Sequence, residues 1–360
     1  MRCDSLHGLL PADLCAALAE RGCACSEAEA RRVLAWVVSG GAGDLDGMTR
    51  PVRRDLRAAI SASFSFELPQ EIERAQDPTD RSVRFVFRLA DGAVAEAVRI
   101  PLHKAGRYSV CLSSQAGCAM QCDFCATGRL GLSRNLTAAE IVGTWLAVRA
   151  TAQAEGGRVT GAVFMGQGEP FHNYDEVLQA AEVLRHPCGG RISSKAITIS
   201  TVGLVPQIRR FTREGHKFRL VVSLTSAVPE RRAALLPVAG RFALDDLAAA
   251  LREYHAATGR RVTLAWVLMG GVNTGQDEVA ALRERFGDLP IRLNLIDVND
   301  PRPGGYRRAT AAERGALRDA LQIMEIPVVR RYSVGQEQAS ACGMLATRHA
   351  ADAGLRRGAR

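Results

Sequence analysis

The chain has 360 residues, 47% of them hydrophobic, a net charge of +9 and ten cysteines. Such a length allows a large domain with a smaller one attached, and the apolar content is ample for a sizeable core. No apolar run reaches the roughly eighteen residues that a helix needs to span a bilayer. Met1-Arg-Cys-Asp-Ser-Leu-His lacks the basic and apolar regions of a secretory signal, so a cytoplasmic location is expected. In that compartment clustered cysteines point to a metal or redox role, not a disulfide framework. The positive balance suits a polyanionic partner through phosphate neutralisation. Only Lys104, Lys195 and Lys217 are lysines, however, so an arginine-favouring composition contributes to the same charge.

The first part, 1–80, predicts a small helical accessory domain: 11–21 and 26–38 carry apolar residues at helical spacing, and Gly40-Gly-Ala-Gly43 breaks the pattern. Segment 81–104 predicts a β-hairpin, with strands 83–89 and 94–100 around Asp91-Gly92. From 105 to 335 short strands alternate with helices. The strands are expected at 107–112, 159–165, 196–200, 218–224, 261–268 and 291–296. Helices are expected at 138–152, 175–184, 205–213, 244–257, 276–286 and 311–324, with Thr137-x-x-Glu140 as a capping box. Six β-α units imply the α/β class, here an open, partial parallel β/α barrel. A short strand at 328–332 leads into a C-terminal segment, 336–360, whose tail carries Arg348, Arg356, Arg357 and Arg360.

Cys118-x-x-x-Cys122-x-x-Cys125 follows the first barrel strand. Three thiolates are one short of the four that close a cubane iron–sulfur cluster, leaving one iron open to an outside ligand. Zinc is the alternative, but it needs a fourth ligand, and the nearest histidine, His103, lies before the strand. Other polar motifs also fall at strand ends, where ligands gather in such folds. They are Gly166-Gln-Gly-Glu-Pro170, Ser200-Thr-Val-Gly203, Ser223-Leu-Thr225 and Asn299, and one shared pocket accounts for all of them. Each alone is also compatible with a turn or a cap.

The cysteine loop is the signature of radical S-adenosylmethionine (radical-SAM) enzymes. Together with Cys111-Leu-Ser-Ser-Gln-Ala-Gly-Cys118, the strand-end motifs and Ala341-Cys342-Gly343, it resembles the RlmN/Cfr family of RNA adenine methyltransferases between Glu96 and Leu345. The resemblance implies a [4Fe-4S] cluster on Cys118, Cys122 and Cys125. S-adenosylmethionine would chelate the open iron and be contacted by Gly168, Glu169, Ser200, Ser223, Leu224, Thr225 and Asn299. Electron transfer from a donor such as flavodoxin or ferredoxin would yield a 5′-deoxyadenosyl radical. Cys342 would carry a methyl group to the substrate, and Cys111 would close a transient disulfide with it to free the product. The expected activity is methylation of carbon 2, or less readily carbon 8, of an adenine in ribosomal or transfer RNA. The same chemistry on a small molecule, or an inactive RNA-binding relative, are the alternatives.

Glu96 is the expected base that takes the ring hydrogen as a proton. It shares strand parity with Val94, Val98 and Ile100, an apolar face that would desolvate it and raise its pKa. Pairing with Arg99 or Arg107 is the competing expectation. Cys342 has its own alternative, a buried structural thiol. Three positions depart from the family pattern. Thr225 stands where a histidine is usual, Asp297-Val-Asn-Asp300 replaces a proline-bearing turn, and Met344 replaces a glutamine. Cys23-Ala-Cys25 resembles half of a metal site with no second half in the sequence nearby.

Overall fold

The computed structural model describes residues 4–331, 334–338 and 340–345. Its N-terminal helices, Pro11–Ala19 and Glu27–Leu34, bury Leu14, Leu18, Ala30, Val33 and Leu34 at the predicted spacing. Ser26 starts the second helix by a reciprocal pair: its hydroxyl accepts from the Glu29 amide and the Glu29 carboxylate accepts from the Ser26 amide. A third helix, Arg54–Ser63, was not expected, although Leu56 and Ile60 lie one turn apart on its buried side. The helices are tied to the barrel. Gln179 donates to the Gly8 carbonyl (3.0 Å) and the Asp13 carboxylate (2.6 Å), Arg149 donates to the Val38 carbonyl (2.9 Å), and one apolar core runs through both parts.

Ten strands form a single sheet, in chain order across it: β1 Gln70–Gln76, β2 Val83–Arg88, β3 Val94–Pro101, β4 Arg107–Leu112, β5 Arg158–Phe164, β6 Ile197–Thr201, β7 Arg219–Ser223, β8 Val262–Leu268, β9 Ile291–Asp297 and β10 Val328–Arg331. Strands β4 to β10 are parallel. β1 to β3 extend the sheet antiparallel from the edge of β4. The expected hairpin is therefore the inner part of a three-strand extension continuous with the barrel. β1 was missed because Gln-Glu-Ile-Glu-Arg-Ala-Gln reads as polar; it is a half-exposed edge strand with little apolar alternation to betray it.

The crossover helices are Ala138–Ala154, Tyr174–Arg185, Val205–Glu214, Leu244–Thr258, Gln276–Phe286 and Ala311–Gln322, each within a few residues of its expected span. Thr137 and Glu140 make the predicted capping box at the first (3.2 and 2.9 Å). Because β4 to β10 run the same way, their carboxyl ends share one rim of the sheet. β10 and β1 do not pair, so the barrel is open. No helix among the described residues is long and apolar enough to cross a membrane. Tyr332 and the basic tail, Arg348, Arg356, Arg357 and Arg360, lie outside the described residues.

Candidate active site

After β4 the chain enters a short strand, Gln115–Gly117, that pairs with Leu132–Asn135 and pinches off the cysteine loop. Gly117 permits the pinch: at φ +80°, a Cβ there would stand 2.0 Å from the Gly131 carbonyl oxygen. The same carbonyl accepts from the Cys118 amide at 2.9 Å. Cys118, Cys122 and Cys125 all line one cavity of about 190 Å³. Burial above all, with like charge nearby, pushes the Cys118 thiol up to about 12 and Cys122 well above its ordinary value. Three thiolates persist here only with metal to offset them. Among the described residues no three His, Cys, Asp or Glu side chains converge to hold a single metal ion. Thiolates that each bind a different iron of a cubane need no such convergence, so the donor set fits a [4Fe-4S] cluster better than zinc.

Gly168, Glu169, Ser200, Ser223 and Asn299 stand on the other walls of this cavity. Glu169 is 4% exposed, and burial pushes its carboxyl up to about 7. Its two oxygens accept from the amides of Phe171 (2.9 Å) and Val202 (2.8 Å), which fixes the group without neutralising it. Among the described residues it forms no ion pair, so an incoming ammonium group would supply the missing charge. Gly168, at φ +94°, is required by packing within the chain: a Cβ would lie 2.5 Å from the Gln115 Cβ.

Leu224 and Thr225 are not in the cavity wall. Both are fully buried behind it, and the Leu224 and Thr225 amides donate to the Ala265 carbonyl at 2.9 and 3.2 Å. Thr225 holds φ +61°, costly for a β-branched residue, and its hydroxyl has no hydrogen-bond partner among the described residues. What holds this strand end is Arg232, which the sequence analysis missed. Its guanidinium donates to the carbonyls of Ser223 (2.9 Å), Leu224 and Val202 (2.7 Å), binding the ends of β6 and β7 together. Burial lowers its pKa to about 10, partly offset by the adjacent Cys122.

Cys342 is exposed into the same cavity and is held by the cluster loop itself. The Ala126 amide, at the start of helix Ala126–Leu130, donates to the Gly343 carbonyl (2.7 Å), and the Thr127 hydroxyl to the Leu345 carbonyl (3.1 Å). Asn299 donates to the Cys342 carbonyl at 3.4 Å. Cys342 is therefore not the buried structural thiol of the alternative expectation. Cys111, on β4, is buried with Val98 and Leu345 and sits directly across from Val98 on β3. Its thiol is pushed above its ordinary range by burial and by nearby Cys342. The described cysteines, Cys111 and Cys342 among them, form no disulfide.

Glu96 is completely buried on the face it shares with Val98, as parity predicted. Its partner, however, is Arg84 on β2 (3.2 Å), not Arg99 or Arg107. Arg99 pairs with Glu155 instead (2.8 Å). The Arg84 guanidinium also meets Glu73, so one buried cation is shared between two carboxylates. Gln167 completes the setting: its side chain donates to Glu96 Oε1 and accepts from the Glu96 amide, both at 3.3 Å. The glutamine between two glycines was the available signal; Arg84 gave none. Away from the site, burial above all pushes the Cys25 thiol up to about 12, with a contribution from Cys15, a neighbour that the sequence separation hid.

An open parallel β/α barrel, with a three-thiol loop after its first parallel strand and a charge-deficient carboxylate after its second, defines a radical-SAM enzyme. Residues 112–283 match the Radical SAM superfamily. A probable RNA methyltransferase of Anaeromyxobacter sp. (strain Fw109-5) is 50% identical over 324 residues, covering 89% of this chain and 93% of that protein. The dual-specificity RNA methyltransferase RlmN of Pelobacter propionicus is 36% identical over 318 residues, 88% of each chain. A radical SAM methyltransferase from Sphaerobacter thermophilus, known by crystal structure, superposes with a TM-score of 0.86 at 34% identity, covering 95% of this chain and 98% of that one. The chain belongs to the RlmN-like family of radical-SAM methyltransferases, and its cofactors are a [4Fe-4S] cluster and S-adenosylmethionine.

Proposed function

We propose that the protein methylates a ring carbon of an adenine in ribosomal or transfer RNA, carbon 2 in preference to carbon 8, in the cytoplasm. RNA is what the similar proteins are named for. The observation that carries the mechanism is the seating of the Cys342 segment on the cluster loop through the Ala126–Gly343 and Thr127–Leu345 hydrogen bonds. When bound, the cluster and S-adenosylmethionine supply the methyl group and the radical that activates it, with electrons from a flavodoxin- or ferredoxin-like donor. Cys342 would hold the methyl group; once one methyl hydrogen atom has been given up to the radical derived from S-adenosylmethionine, the freed carbon valence bonds to the adenine ring, and the surplus electron would return to the cluster as the ring hydrogen departs. Glu96 then takes the ring hydrogen as a proton on its carboxylate, which Arg84 and Gln167 hold in place. The Cys111 thiolate attacks the Cys342 sulfur. The carbon–sulfur bond breaks, its electron pair passes to the product carbon, which gains a proton, and a Cys111–Cys342 disulfide remains to be reduced by two electrons.

The test is nucleoside mass spectrometry of RNA from cells with and without the gene, complemented by wild-type or Cys342→Ala protein. A methyladenosine that depends on the gene and is lost with Cys342→Ala is expected. Should no methyladenosine depend on the gene, the RNA assignment falls and a small-molecule substrate takes its place; full methylation by Cys342→Ala would remove the carrier role.

A further inference from the structure

The inner face of the open barrel carries a row of arginines that the chemistry above leaves unused. Side chains alternate along a strand, so Arg219 shares a face with Val221 and Ser223, and Arg292 shares one with Asn294 and Ile296. All four of those companions line the active-site cavity. Arg219 and Arg292 point into the barrel on the cavity's own face, nearer the amino ends of β7 and β9. Arg331, at the end of β10, lines the cavity beside Cys342 and pairs in register with Ile296. All three are exposed, and among the described residues none forms a salt bridge or hydrogen bond. Arg134, Arg210, Arg252 and Arg302 pair with acidic neighbours; what sets Arg219, Arg292 and Arg331 apart from other arginines without such a partner is their place on the face that lines the active-site cavity.

Enclosure by the cavity wall is the larger cause that lowers the Arg331 pKa, nearby Cys342 opposes it, and Arg219 and Arg292 add repulsion, while the side chain keeps a surface open to solvent. Nothing in the fold requires this arrangement. Parallel strands covered on both faces are usually apolar throughout. An inner face that bears unpaired guanidinium groups is adapted to a polyanion that enters from the open side. From Arg292 to Ile296 is four residues, roughly 13 Å of strand, a run long enough for more than one phosphodiester. Planar guanidinium groups grip phosphate oxygens in pairs.

We propose that Arg219, Arg292 and Arg331 form a phosphate track that holds the single-stranded RNA backbone flanking the target adenine and leads it to Cys342. This rests on the RNA reading and specifies how that substrate is gripped.

The probe is a fluorescein-labelled oligoadenylate of about twelve nucleotides, its binding to cluster-loaded protein followed by anisotropy across a potassium chloride series. Replacing all three arginines with glutamine (R219Q/R292Q/R331Q) is expected to weaken binding at least about tenfold and to lower the slope of log affinity against log salt by roughly 2, near 0.7 per lost phosphate contact. The three corresponding lysine replacements keep the charge and are expected to keep most of the slope, which separates lost charge from misfolding. Arg318→Gln, on the outer helix Ala311–Gln322, controls for net charge and is expected to leave the slope unchanged. An unaltered slope in the glutamine variant, with wild-type protein binding the probe, overturns the track alone. Wild-type protein that shows no salt-dependent binding overturns the RNA reading and the track with it.

Discussion

Glu169 and Cys111 show how burial sets the chemistry of single side chains. Glu169 is fixed by two amides yet lacks a compensating cation, so its ionised form is stabilised by whatever positive group the cavity receives. Glu169→Gln should weaken S-adenosylmethionine binding by about 10–100-fold, the loss of one charge-assisted contact. Iron and sulfide content should stay unchanged, and equilibrium dialysis against cluster-loaded protein reads both. Cys111 has its thiol raised by burial, so it is neutral at pH 7 and its thiolate fraction grows about tenfold per pH unit. An RNA–Cys342 adduct should therefore decay faster as pH rises from 7 to 9, by about a hundredfold over the two units. Cys111→Ala should leave the adduct intact, visible as a slow-migrating RNA–protein band. A decay rate that is flat with pH would show that another group resolves the adduct. At this scale the sequence was legible where periodicity speaks. The parity of β3 put Glu96 on the correct face, but its partner Arg84 depends on the register between two strands, which no spacing within one strand reveals.

The element on which the proposed chemistry depends is the segment from Gly335 to Leu345. It is anchored at two places. At one end the Gly335 amide donates to Asp80 (2.6 Å) and the Glu337 amide to Asp77 (3.1 Å), both in the turn between β1 and β2. At the other, the Gly343 and Leu345 carbonyls accept from the helix that follows the cluster cysteines. Asp77 is 1% exposed and also closes its own turn by accepting from Thr79 and Asp80 amides. Asp77→Ala strands the Glu337 amide, at a cost of about 1–3 kcal/mol, and loosens the upper anchor, which keeps its Gly335–Asp80 bond. Methyl transfer should fall at least about tenfold while reductive cleavage of S-adenosylmethionine, measured as 5′-deoxyadenosine, changes less than about twofold. Equal loss of both would mean that the turn merely supports the fold. The sequence marked Cys342 through its flanking residues, yet gave no sign that the loop of Cys118, Cys122 and Cys125 also holds the Cys342 segment.

For the molecule as a whole, the open barrel gathers contributions from segments far apart in the chain onto one rim, and a second polar latch closes over the cluster loop from outside. Arg302 bridges Asp123, between Cys122 and Cys125, to Asp300 beyond β9, and the Tyr306 hydroxyl donates to Asp123 at 2.7 Å. Arg302 and Tyr306 hold the Asp123 carboxyl below its usual range. Being partly exposed, the Arg302–Asp123 pair contributes about 1 kcal/mol at most. Arg302→Ala should accordingly speed iron loss to a chelator by roughly fivefold, with little change in thermal unfolding. An unchanged rate would place the latch outside the control of cluster retention.

The amino-acid sequence by itself determined the β-α alternation, the strand-end position of the motifs and the three-thiol loop, because these are local patterns of periodicity and spacing. It also carried the cysteines and carboxylate on which the proposed chemistry depends. Only the tertiary structure decided that β1 belongs to the sheet, that Thr225 lies behind the cavity rather than in it, that Arg84 and Arg232 are the buried cations of the site, and that unpaired arginines face its interior. Each of those depends on which residues meet across strands and loops, and such meetings are set by register and packing, not by any spacing along the chain.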